Sequence, residues 1–302
     1  MRDKINQAQL ILDIENFLKR LKRRRRVWNE FYEQCTDLVL DFSEIYDPDY
    51  EYIGYVKFFI FLYYDLKSID FGFESLKIEL TRIGYRDIKS WFMDMVECFE
   101  KDYENIQIQK NENQNELEEY CESIINKCSR ILVVRVDLGY LQEYQNRITV
   151  DDLYFDLDKL VNRIQNKDGI FKHVLGYAWG LEQGGKSKGY HCHLGVIYDN
   201  AYRHSNVRHW GDEIIKLWKE ITSDYGQGYN CYNRERVAEL RNQGRLGIGV
   251  IHRSNRSEVN NFIEAMSYIV EHDKRTAQYL RIKPTSRRTF GKGQLRDQRS
   301  RR

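Results

Sequence analysis

Proline is almost missing from this 302-residue chain, which has only Pro48 and Pro284, so proline-rich linkers and polyproline ligand segments are excluded. Long apolar runs are missing as well: Tyr52 to Leu66 is about 15 residues long and is broken by Lys57, short of the ~20 needed to span a bilayer. The start is charged and amphipathic, unlike a secretory signal. None of the six cysteines (Cys35, Cys98, Cys121, Cys128, Cys192, Cys231) forms a C-x-x-C pair, which argues against a zinc ribbon or disulfide framework and predicts free thiols in a reducing compartment. A soluble, cytoplasmic protein with no membrane partner is expected. Net charge is also nearly absent, at +2, but the balance is uneven. Residues 1–127 carry 18 Lys/Arg against 26 Asp/Glu, and residues 128–302 carry 30 against 20. The second part is the one suited to a polyanion.

The chain is rich in aromatics, which make up 14% of it and include 22 tyrosines, and its 41% hydrophobic content is enough for one large or two ordinary cores. From residue 6 to about 35, Leu10, Ile14, Phe17, Leu18 and Leu21 repeat at helical spacing, and the basic run Lys19 to Arg26 follows. That run fits either a nucleic-acid contact or a solvated helix face answering the acidic remainder of the region. Helical patterns follow at Ile53 to Leu66, Glu74 to Ile83 and Asp87 to Asp102. The polar stretch Gln107 to Glu119 lacks Gly and Pro and reads as a helix or a tether, with a domain boundary near its end. Residues 1–127 are thus expected to form a helical N-terminal region.

From Arg130 the period changes. Ile131 to Leu138 is β-branched enough for a central strand, and a helix with Leu153, Leu157, Leu160, Val161 and Ile164 inward starts at Asp151. Strand-like Val174 to Glu182 and Gly189 to Asp199 flank a Gly/Lys/Ser cluster. A further helix covers Val207 to Thr222, and the glycine-rich Tyr225 to Gly228 leads through a polar loop to a short strand, Ile248 to His252. The last helix opens at Ser257 and runs to about Lys274 with Val259, Phe262, Ile263, Met266, Ile269 and Val270 inward. On it Tyr268 points roughly 160° from the apolar centre. Residues 281–302 carry nine Lys/Arg and one acid and read as an unfolded basic arm.

Alternation puts His191 and His193 on one strand face, and a hairpin through the glycines brings Glu182 opposite them. Two imidazoles and one carboxylate leave open positions on a divalent metal for water or a phosphate oxygen. The same residues also fit histidines simply exposed on a sheet. The order β, α, β, β, α, β, α predicts an α+β fold with a ferredoxin-like split βαβ antiparallel sheet, helices on one face and the other face open.

As an ordered set, Cys128 to Leu138, Gly180-Leu181-Glu182, Gly189-Tyr190-His191-Cys192-His193-Leu194, Tyr225 to Gly228, Ser267-Tyr268 and Arg288-Thr289-Phe290-Gly291 resemble the inovirus replication-protein family, the YagK/YfjJ-like proteins of prophages, over about residues 128–296. That family resembles a branch of the HUH endonucleases. The resemblance implies a nicking domain over residues 128–280 followed by the basic tail, with Mg²⁺ or Mn²⁺ held by His191, His193 and Glu182. It implies that Tyr268 is the nucleophile of a rolling-circle replication initiator, an endonuclease and strand transferase that leaves a 5′-phosphotyrosine. The expected partners are single-stranded or hairpin DNA at a replication origin and host replication proteins, in the cytoplasm of a bacterial host. Arg135, Lys186, Lys188, Arg287 and Arg288 are the expected DNA contacts, and Asp137, Glu271, His272 and Lys274 the supporting residues. Glu271 stands where the family tends to have lysine, which puts cleavage efficiency in question. A non-catalytic DNA-binding repressor would need the basic surface without the metal. A small metal-dependent hydrolase would need the metal without the basic surface.

Overall fold

The computed structural model describes residues 5–69, 72–184, 188–202, 206–270 and 278–294. Its elements, in chain order, are α1 (Gln7–Arg23), α2 (Phe31–Ile45), β1 (Tyr50–Tyr52), α3 (Lys57–Leu66), α4 (Phe73–Ile83), α5 (Tyr85–Ile125), β2 (Arg130–Tyr140), α6 (Val150–Asn166) and β3 (Val174–Gln183). There follow β4 (Tyr190–Asp199), α7 (Val207–Ile221), β5 (Gly226–Asn230), α8 (Arg234–Asn242), β6 (Gly249–His252), α9 (Arg256–Ser267), β7 (Ile282–Pro284) and β8 (Phe290–Lys292). The protein is α+β, and none of its described helices is long and apolar enough to cross a membrane.

Where one helix is expected from residue 6 to about 35, the chain turns between Arg23 and Phe31. Arg24 is extended, and Glu30 takes a left-handed φ of 64°. The Arg24 carbonyl accepts hydrogen bonds from Tyr85 and Lys89, and Phe17, Trp28, Phe31 and Tyr85 pack around the turn. Three members of the basic run have partners within the fold, since Lys19 pairs with Glu15, Arg20 lies over Trp28 and Lys22 pairs with Glu100, while Arg23 to Arg26 are exposed. The patterns at Asp87 to Asp102 and Gln107 to Glu119 are one helix, α5, of 41 residues. With no Gly or Pro in the polar stretch, nothing interrupts the ladder, and Leu117, Tyr120, Cys121, Ile124 and Ile125 anchor its end against the sheet. Leu66 ends α3 as expected, but that helix starts at Lys57, because Gly54 to Val56 form a tighter 3-10 turn after the strand Tyr50 to Tyr52, which pairs with β7.

The main sheet runs β5-β2-β4-β3-β8, with β6 beside β5 on the same edge of β2, and its pairings are antiparallel. β2, β3 and β4 are buried for nearly their whole length. On one face, Val134, Val136, Leu138, Leu194 and Val196 pack under α6 and α7 in a core continuous with the N-terminal helices. The expected open face is covered: Ile131, Val133, Ala178 and Ile197 pack against the end of α5 and against Phe262 and Met266 of α9. Unbroken apolar runs such as Ile131 to Val134 are the sequence pattern of a strand buried on both faces.

Other expectations are corrected locally. Thr149, not Asp151, caps α6, in a capping box with Asp152. Gly226 to Asn230 is a strand, and the polar stretch after it contains α8, capped by Asn233. Asn255 rather than Ser257 caps α9, which ends at Ser267, so Tyr268 is its C-cap residue. Lys274, the expected helix end, lies outside the described residues. The basic arm is built into the fold as far as Gln294. β7 pairs with β1, β8 pairs with β3, and Leu280, Ile282 and Phe290 are buried, so backbone ladders and apolar anchors outweigh the local charge.

Candidate metal centre

Strand register assembles the centre. β3 and β4 pair with Glu182 opposite His191 and Gly180 opposite His193, and β2 places Asp137 opposite His193 from the other side. All four functional side chains leave the face covered by α9. Glu182, His191 and His193 are buried there, at 3%, 9% and 8% exposed, and Asp137 is half-buried. Glu182 Oε2 lies 3.1 Å from His191 Nε2 and 3.2 Å from His193 Nε2, and the three ligand atoms fall within 4.8 Å of one another. Each ring's second nitrogen has its own anchor: His193 Nδ1 lies 2.5 Å from Asp137 Oδ1, and His191 Nδ1 lies 3.4 Å from the Gly189 carbonyl. An Nδ1–H donated outward leaves the Nε2 lone pair facing the carboxylate, which is how metal-binding histidines are held. The donor set therefore fits a divalent cation, with Glu182, His191 and His193 as ligands and Asp137 supporting His193.

Electrostatics agree with a site built for positive charge. Burial opposes a charged ring at His193, but the hydrogen bonds to Asp137 and Glu182 outweigh it and raise its pKa to about 9. Burial pushes Asp137 toward protonation as well. The His193 hydrogen bond and the charges of His193 and Arg135 reverse this, so its carboxyl stays below the usual range. The carboxylates thus favour positive charge at this point, which a bound cation would also supply.

Two glycines bring Tyr268 to this cluster. A Cβ on Gly180 would lie 2.1 Å from the Ile269 carbonyl oxygen, and one on Gly195 would lie 2.7 Å from the Met266 side chain. Their bare backbones let the end of α9 rest on the sheet beside the histidines. The Tyr268 ring is 6.0 Å from the His193 ring, edge-on, and is 47% exposed. The expectation that it faces away from the core is met, although it stands at the helix terminus rather than mid-helix. Arg135, expected to hold a DNA backbone, lies largely inside the site. Its guanidinium sits 4.4 Å over the Tyr268 ring, donates to the Ala265 carbonyl at 3.2 Å, and approaches Asp137 at 3.8 Å. Arg135 and Asp137 share the His193 face by simple alternation, a signal the sequence carried.

Lys188 is exposed on the hairpin loop, its Cβ close to Gly184, which also neighbours the His191 ring. Arg287 pairs with Asp158 at 2.6 Å and lies over Tyr154, and Arg288 is exposed; neither joins the His cluster. Lys186, Glu271, His272 and Lys274 lie outside the described residues.

These features define an α+β protein whose antiparallel sheet carries a buried carboxylate and two histidines beside an exposed tyrosine. Residues 96–293 match the YagK/YfjJ C-terminal domain, and the chain belongs to that family. Neither a curated protein nor a solved structure gives a match. The match starts within α5, before the expected boundary at 127/128, and the C-terminal half of that helix covers the sheet.

Proposed function

We propose that the chain is an HUH-type, single-strand-nicking initiator of rolling-circle replication, acting on DNA through Tyr268. The observation that carries this reading is the convergence of Glu182, His191 and His193 on one point with Tyr268 against the same histidine. The ferredoxin-like split βαβ assignment belongs to the reading too. It is supported by β2-α6-β3-β4-α7-β5 in chain order lying as β5-β2-β4-β3 in the sheet.

A bound Mg²⁺ or Mn²⁺ would supply charge neutralisation at a phosphodiester. The chain's own residues do the rest. Asp137 fixes the His193 ring, and Arg135 stacks on Tyr268 and holds it beside His193. The Tyr268 hydroxyl oxygen attacks phosphorus, forming a 5′-phosphotyrosine and breaking the bond to the 3′ oxygen, which leaves as a 3′-hydroxyl once it takes up a proton; the phenol proton passes to solvent. Keeping the phosphoester on the protein allows the strand to be rejoined. The tyrosines nearest in sequence to Tyr268 and to the histidines, Tyr279 and Tyr190, are poor nucleophiles. Tyr279 donates at 2.6 Å to the buried Glu15, and Tyr190 is fully buried with its pKa pushed well up by desolvation.

The test is incubation with labelled single-stranded DNA and Mn²⁺, followed by a denaturing gel and peptide mapping. The wild type should give a covalent adduct on Tyr268, and Tyr268→Phe should bind DNA but give none. An adduct mapped to Tyr279 or Tyr190, or one retained by Tyr268→Phe, would overturn the assignment.

A further inference from the structure

A groove of about 1270 Å³ runs between the middle of α5 and the β3–β8 edge of the sheet. Its inner end is lined by Gly180, two residues before Glu182, and by Ile269 and Val270, which follow Tyr268. It is larger than the ~300–1,000 Å³ usual for a small-molecule pocket, so an extended segment fits it better than a single small ligand. Lys110 lines it from α5. That side chain is only 7% exposed, and no described residue bonds or pairs with it. Its stem is buried in the wall, and an ammonium that no described side chain pairs with is open to an anionic ligand in the groove. Arg288, in the Arg288-Thr289-Phe290-Gly291 motif that the metal centre does not use, adds an exposed cation on the other wall. The wall's carboxylates are largely answered from within: Glu51 by Lys283, Asp102 by Lys57 and Glu116 by Lys292, while Glu119 is exposed.

The other lining chemistry is planar and amide-rich. Trp179 is half-buried on β3, and Gly291 supports one side of its indole, where a Cβ would come within 2.5 Å of the ring. Asn105, Gln109 and Asn113 present amides from α5. Unpaired cations, an aromatic platform and amides along a groove are how single-stranded nucleic acid is held without a duplex. We propose that this groove seats several nucleotides of the single strand flanking the scissile phosphate, with Lys110 on a backbone phosphate and Trp179 under a base. It rests on the nicking reading only for the identity of the strand as DNA.

The experiment measures binding of a labelled oligothymidylate of about 12 nucleotides in EDTA, so that no cleavage chemistry enters. Lys110→Met should weaken binding about tenfold and make the log affinity against log salt slope shallower by about 0.7, one phosphate's worth. Trp179→Ala should weaken binding about tenfold, and Trp179→Phe should restore most of it. Unchanged affinity in both the Lys110 and Trp179 variants, or equal binding of duplex DNA, would each overturn the groove assignment. Strand binding that depends on Lys110 in a protein that never forms an adduct would uphold the groove and sink the nicking reading. Adduct formation with groove-independent binding would do the reverse.

Discussion

Glu182 and Gln183 are consecutive on β3, and because successive side chains leave opposite faces they serve two buried polar clusters of different character. Gln183 faces the N-terminal helices, where its amide donates to the Ala8 carbonyl at 2.6 Å and accepts from the Arg281 backbone at 3.1 Å. Beside it Glu15, 1% exposed, accepts from Arg281 Nε at 2.5 Å, Tyr279 at 2.6 Å and Tyr103 at 3.1 Å. Here a buried carboxylate meets a permanent cation and hydroxyl donors, so charge and hydrogen-bonding capacity are matched inside the protein. Around Glu182 the carboxylate meets two ring nitrogens whose partner nitrogens are already anchored elsewhere. The first cluster is complete without a ligand. The second concentrates acceptor atoms at one point, which makes sense when a cation completes it. Burial alone therefore does not distinguish a structural network from a working site, whereas the balance of donors and acceptors does.

The sharpest way to break that comparison is to delete one member of each cluster. His193→Ala should abolish metal-dependent cleavage altogether. It should also remove the rise in melting temperature that Mn²⁺ gives the wild type, a rise on the order of 3 kcal/mol of stabilisation at a hundredfold excess over Kd. Calorimetric titration with Mn²⁺ checks this apart from any DNA. Undiminished Mn²⁺ binding by His193→Ala would take the metal away from this cluster.

Glu15→Ala should act in the opposite way. It takes from the buried Arg281 the carboxylate it pairs with, and removing one partner of a buried ion pair costs about 3–5 kcal/mol, read as a fall in the urea midpoint. Metal binding by the folded fraction should persist, since Glu15 touches none of the ligands. If Glu15→Ala melted like wild type, the Glu15–Arg281 pair would not be the lock between α1 and the C-terminal segment.

The metal-centre half of this comparison was legible in the sequence and the other half was not. His191, His193 and Glu182 follow from period-two alternation plus one hairpin, both local rules, and the structure brings them together. The last helix shows where local rules stop. Its apolar stripe continues through Ile269 and Val270, so periodicity carried the helix past Tyr268, but the Tyr268 N–H makes the last helical bond, to Glu264, and the chain then tightens into turns where it settles onto the bare backbones of Gly180 and Gly195. The basic tail failed for a similar reason. Composition made residues 281–302 an unfolded arm, yet Arg281 is 2% exposed because its partner, Glu15, lies 266 positions away. Composition has no access to contacts of such separation. The polar middle of α5 could be read as helix or tether until its apolar last turns were seen covering the sheet.

The finest test of the difference is the sign of each cluster's pH dependence. Burial opposes ionisation of Glu15, but Arg281 and Lys19 outweigh it and hold its pKa below 4.5. Its stabilisation is therefore complete above the unfolded-state value and is lost as pH falls through the lower folded value. His193 runs the other way. Its pKa rises from 6.5 to about 9 against the effect of burial, because Asp137 and Glu182 favour the charged ring. In the metal-free protein that contribution is complete below about pH 6.5 and is lost as pH rises through about 9, a span of about 3 kcal/mol. Melting curves in EDTA from about pH 2 to pH 10 should show an acid-side fall that Glu15→Gln flattens and an alkaline-side fall that His193→Ala flattens. Mn²⁺ should erase only the alkaline fall, because a metal-bound imidazole has already given up its proton, and its affinity should climb with pH toward 9. An alkaline fall that survives saturating Mn²⁺ would mean that cation and proton do not compete for His193, and the distinction between the complete and the incomplete cluster would lose its physical basis.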